Sequence, residues 1–171
     1  VCALALLFAQ PYIAGNPLSL LRNPGLTLFS WVDPTPSMGY TEHGQTLHDR
    51  GMILLDSIRR SAPATVRHFL FSESEGRFLP YDGRHETRQP LRYGPCGLAA
   101  AEKAWKEQMT GYSLPCLLLA SDFGRETSAV LDSLFATMPT GAAVIAVSLA
   151  PRKPWNASIR GAELVDDGQG K

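Results

Sequence analysis

From residue 114 to residue 120 the chain reads Leu-Pro-Cys-Leu-Leu-Leu-Ala, with no polar side chain. A strand with one wet face alternates apolar and polar residues. An unbroken apolar run therefore belongs to a strand buried on both faces, as in the middle of a parallel sheet. Pro115 has no backbone donor and is tolerated at the start of such a strand. Residues 25–32, Gly-Leu-Thr-Leu-Phe-Ser-Trp-Val, make a second, nearly continuous apolar run, broken only by Thr27 and Ser30. Two fully buried strands require apolar layers packed against them, which restricts the chain to a layered α/β architecture.

The segments between these runs supply the layers. Residues 46–60 space Leu47, Met52, Ile53, Leu55 and Ile58 at helical intervals, with Arg50, Asp56, Arg59 and Arg60 between them, and Pro63 stops the helix. Residues 66–71 read as a strand. Residues 72–95 form a long polar loop in which Arg77-Phe78-Leu79 hints at a short hairpin. Helix is expected over 97–109 and 126–138, and a further strand over 142–149. Strand and helix thus alternate, which predicts a doubly wound, mainly parallel sheet of five or six strands with helices on both faces.

With 171 residues the chain suits one domain, assigned to 23–150. Residues 1–22 hold a short apolar run and a linker, read either as the end of a membrane helix or as an ordinary buried helix. Residues 151–171 read as a linker and the start of a further β segment. Lys plus Arg and Asp plus Glu number 16 each, so no excess of positive charge argues for nucleic acid. Cys2, Cys96 and Cys116 lack zinc-site spacing and are expected as buried free thiols. His43, His48, His68 and His85 fall in no ligand spacing either.

The chemistry concentrates where two strands end. After the first apolar run come Asp33, Thr35 and Ser37, then Met38 and Gly39. A carboxylate and two hydroxyls at alternate positions can turn one way and offer hard oxygens to a magnesium-like ion. Asp122 follows the 114–120 strand, and in open parallel sheets such strand ends converge on the ligand site. Asp33, Thr35, Ser37 and Asp122, with waters, would suit Mg2+ or Mn2+. A plainer alternative is that both aspartates cap helix N-termini.

The Asp-x-Thr-x-Ser-Met stretch resembles the metal-ion-dependent adhesion site of von Willebrand factor A domains, Asp-x-Ser-x-Ser usually followed by Met. Phe69-Leu70-Phe71-Ser72 is similar to the family's Val-x-Phe-Ser strand. Residues 118–124, Leu-Leu-Ala-Ser-Asp-Phe-Gly, look like its Leu-Leu-Thr-Asp-Gly strand end. More narrowly, Ser37-Met38-Gly39-Tyr40 followed by Thr46-Leu47-His48-Asp49-Arg50 resembles the A domains of BatA-like, aerotolerance-type bacterial membrane proteins. Phe8-Ala9-Gln10-Pro11 and Asn156-Ala157-Ser158-Ile159 are similar to the segments that flank those domains.

The resemblance implies a non-enzymatic module that binds a partner protein, an acidic side chain of the partner completing the ion's shell. It also implies a bacterial inner-membrane protein whose A domain faces the periplasm, with membrane attachment through segments outside this chain. The family's pattern further includes a Thr in the loop before the next helix, where this chain reads Gly94-Pro95-Cys96-Gly97; Thr87 lies upstream. The competing reading is a magnesium-dependent hydrolase or phosphatase using Asp33. Phosphatases with an aspartate nucleophile resemble Asp-x-Asp at this place, and Thr35 stands where the second carboxylate, the general acid, would be.

Overall fold

The computed structural model describes residues 23–83 and 97–150. The segments 1–22 and 151–171, Cys2, Cys96, His85, Thr87 and the Gly94-Pro95-Cys96 stretch lie outside the described residues. Strand β1 (Leu26–Val32) is followed by a 3-10 turn (Pro36–Gly39), a small hairpin of β2 (Thr41–Glu42) and β3 (Gln45–Thr46), and helix α1 (Leu47–Ser61). Then come β4 (Arg67–Ser72), β5 (Arg77–Pro80), α2 (Leu98–Gln108), β6 (Leu114–Ser121), α3 (Arg125–Ala136) and β7 (Ala143–Ser148).

Five strands make one sheet in the order β5-β4-β1-β6-β7. β4, β1, β6 and β7 are parallel neighbours, and β5 returns antiparallel beside β4. The fold is therefore α/β with a mainly parallel sheet. β1 is buried along its whole length, Thr27 and Ser30 included, and β6 at every residue but Leu114, as their largely apolar runs predict.

Side chains from alternate positions of the same strands enter two separate cores. One joins Leu26, Leu28 and Val32 of β1 and Cys116, Leu118 and Ala120 of β6 to Leu47 and Leu55 of α1. The other joins Phe29 and Trp31 and Leu117 and Leu119 to Leu98, Ala101 and Trp105 of α2 and to Leu131 and Leu134 of α3. Cys116 is a free thiol in the first core, and burial pushes its pKa up to about 12.

Helix α1 starts at a capping box: the Thr46 hydroxyl accepts from the Asp49 backbone N–H at 2.9 Å, and the Asp49 carboxylate accepts from Thr46 N–H at 3.4 Å. One turn in, Gly51 lies against the sheet. A methyl group there would come within 2.9 Å of Val32 Cγ1 and 3.2 Å of Leu149 Cδ1. The β2–β3 hairpin was not legible in the sequence; its tip is His43 and Gly44, with φ of 54° and 79°, the pair of left-handed residues a two-residue hairpin needs.

Candidate functional site at the ends of β1 and β6

The connection from β1 leads to β4 on one side, and that from β6 leads to β7 on the other. The two connections diverge between adjacent strands, opening the sheet's carboxyl edge there. Val32 pairs with Ala120, and Asp33 N–H donates to Ala120 O at 2.9 Å. Asp33 therefore stands beside Ser121, and Asp122 leaves the same edge one residue later.

Asp33 is fully buried, at 0 % exposure. Such a carboxylate must be met by donors or it forfeits several kcal/mol. Its Oδ1 accepts from Thr35 N–H at 2.8 Å. Its Oδ2 accepts from the hydroxyls of Ser121 at 2.5 Å and Thr127 at 3.4 Å. Ser121 in turn accepts from Phe123 N–H at 2.9 Å, which fixes the direction of its own hydrogen. Each carboxylate oxygen offers about two acceptor positions, so Oδ2 is saturated and Oδ1 retains one.

The loop beyond Asp33 is pinned from below. Met38 is fully buried in the first core while Ser37, one residue earlier, is exposed. Met38 N–H donates to Thr35 O, and Tyr40 N–H to Ser37 O. The two hydroxyls of Thr35 and Ser37 share a hydrogen bond of 3.0 Å, so both turn to the same side.

Neither aspartate caps a helix. The 3-10 turn starts after Thr35 and α3 after Gly124, without side-chain capping bonds, so the capping alternative fails. Asp33 is instead spent on the loop and on β6. Asp122 is partly exposed, yet its Oδ1 is buried and has no hydrogen-bond partner. The next residue, Phe123, holds φ at 50°, a left-handed conformation rare outside glycine. Where the A-domain pattern has Gly after Asp, this chain keeps an aromatic ring packed against the second core.

Sequence reasoning found Asp33, Thr35, Ser37 and Asp122, and the structure brings their segments to one edge of the sheet. It missed Ser121 and Thr127, which lie 88 and 94 residues from Asp33. A Ser ending a run of apolar residues was the available signal for the first; for Thr127, in the first turn of α3, there was none. Glu73 was also missed. It follows β4, accepts from Trp31 Nε1 at 3.2 Å, and its carboxylate fills the space a side chain at Gly97 would need. His48 is buried behind the loop; burial lowers its pKa below the ordinary 6.5, against the opposing charges of Asp49 and Asp33.

The donors at this edge are carboxylate and hydroxyl oxygens, the set that hard divalent cations take. A buried carboxylate oxygen without a partner is the kind of vacancy in hydrogen bonding that a cation or its water satisfies. By donor type, hard oxygens with one buried carboxylate oxygen unmet, these residues are the kind that Mg2+ or Mn2+ takes. Among the described residues no group of three or more His, Cys, Asp and Glu comes together, so any such site depends on the hydroxyls. No model of a known protein family matches this chain, and no curated protein matches it.

Proposed function

We propose that this chain is a protein-interaction module of von Willebrand factor A type. Its two cores, drawn from alternate residues of the same strands, support a doubly wound arrangement with α1 over one face and α2 and α3 over the other. The working surface is the edge at β1 and β6. There Asp33, through Oδ1, with Thr35, Ser37 and Asp122 would hold Mg2+ or Mn2+. When bound, the ion supplies a coordination position for an acidic side chain of the partner. The residues of the chain do the rest: Met38 seats the loop, and Ser121 and Thr127 hold Asp33.

The observation that carries this reading is the orphaned Oδ1 of Asp122 at the same sheet edge as a fully buried Asp33 whose Oδ1 retains one acceptor position. A phosphatase with an aspartate nucleophile needs a second carboxylate as general acid, and Thr35 stands in its place, which favours binding over hydrolysis. Following the BatA-like resemblance, we place the module on a bacterial inner-membrane protein, facing the periplasm. Attachment would come through segments beyond residues 23–150; among the described residues no helix is long and apolar enough to cross a membrane.

Melting with and without Mg2+ or Mn2+ tests the site. At a hundred times its Kd the ion should add about 2.7 kcal/mol to stability. Asp122→Asn should abolish that gain. Absence of any shift with either ion in the native chain overturns the cation site. Hydrolysis of a generic phosphate ester with Mg2+, lost in Asp33→Asn, would overturn the binding reading in favour of an enzyme.

A further inference from the structure

We propose that Ser121 and Thr127 decide which divalent cation this edge accepts, by keeping Asp33 from binding an ion through both oxygens. The inference rests on the cation site proposed above. It starts from a difference between the two oxygens of one side chain. Oδ2 receives a short hydrogen bond of 2.5 Å from Ser121 and a longer one of 3.4 Å from Thr127. All three groups are buried, with exposures of 0 % for Asp33, 0 % for Ser121 and 3 % for Thr127, so water does not compete for these bonds. The Ser121 hydroxyl is itself directed by Phe123 N–H, which leaves its hydrogen aimed at Asp33.

A carboxylate clamped in this way can offer a cation Oδ1 alone. Single-oxygen ligation suits Mg2+, which is small and demands near-octahedral geometry with few carboxylates. Ca2+ is larger, takes six to eight oxygens and often draws two of them from one carboxylate. Freeing Oδ2 restores that second option and should benefit Ca2+ selectively. Ser121 and Thr127 are thus positioning residues, acting on the ion through Asp33.

Calorimetric titration of the metal-free chain with MgCl2 and separately with CaCl2 gives the affinity ratio. Ser121→Ala should move that ratio toward Ca2+ by about tenfold and Thr127→Val by a few-fold, reflecting the shorter and longer bonds. Thr127→Ser, which keeps the hydroxyl, should restore the native ratio. If both variants bind the two ions more weakly by the same factor, the hydroxyls are merely structural and the proposal is overturned while the cation site stands. If the native chain binds neither ion, both fall together. Should Ser121→Ala not fold, Thr127→Val decides alone, and an unchanged ratio overturns the proposal.

Discussion

The loops after β1 and β6 leave neighbouring strands at the same edge, yet they treat their aspartates in opposite ways. Asp33 is sealed in and meets a donor at every turn: Thr35 N–H, the Ser121 hydroxyl and the Thr127 hydroxyl. Asp122 reaches toward solvent and keeps one buried oxygen without a partner. The first carboxylate is part of the scaffold, and the second keeps an acceptor that the described residues leave unmet. On the proposed reading the edge draws on what each has left: one acceptor position of Asp33 Oδ1, and the unmet Oδ1 of Asp122.

Removing Asp33 is the severest test of that contrast. Asp33→Ala takes their acceptor from the buried Ser121 hydroxyl and the Thr35 amide and one acceptor from Thr127, and should cost about 3 kcal/mol or more in denaturant unfolding. A cost under about 1 kcal/mol would break the comparison, since it would make Asp33 as dispensable as its neighbour.

The left-handed Phe123 sharpens the contrast on the β6 side. Phe123→Ala and Phe123→Gly both lose the ring, but only glycine adopts φ of 50° without strain. The glycine variant should therefore be the more stable of the two by about 1 kcal/mol, measured as the difference in unfolding free energy. Equal stabilities would show that the loop relaxes and stores nothing.

Acid titration probes the neighbourhood of Asp33 from another direction. His48 has its pKa lowered chiefly by burial, so the unfolded chain binds the proton more readily than the folded one. Stability should fall as pH drops through the ordinary value of 6.5 toward the lower folded one. Asp33 opposes that shift, so the fall should be steeper in Asp33→Asn and shallower in His48→Gln, read from melting temperature against pH.

The smallest effect is expected at Asp122. In metal-free buffer Asp122→Ala should be neutral, or stabilising by up to about 1 kcal/mol, because an unpartnered buried oxygen disappears. A large loss would mean that Asp122 serves the scaffold as Asp33 does.

The central strands were readable because burial on both faces leaves a sequence little room for polar residues, and the helices because one face of each is apolar. Residues 25–32 and 114–120 announced β1 and β6 in this way, and 46–60 announced α1 by its spacing. β5 showed only as a hint, since Arg77–Pro80 is four residues with partly exposed ends. The two residues of β2 and of β3 left no periodicity at all. At the site, Asp33, Thr35 and Ser37 were legible because alternate spacing in one short loop is a local pattern. The clamp on Asp33 was not, because Ser121 and Thr127 come to it through strand pairing and helix docking, which no local pattern records.

Gly51 carries a consequence beyond the core in which it sits. With 2.9 Å between a would-be methyl group and Val32, α1 is seated on the very residue that precedes Asp33. The helix and the loop after β1 share one foundation stone, and the thirteen positions from 34 to 46 form a bridge whose two abutments cannot drift apart. Such a span can exchange its exposed side chains while Met38 keeps it seated, and its length stays under the control of a residue that has no side chain at all.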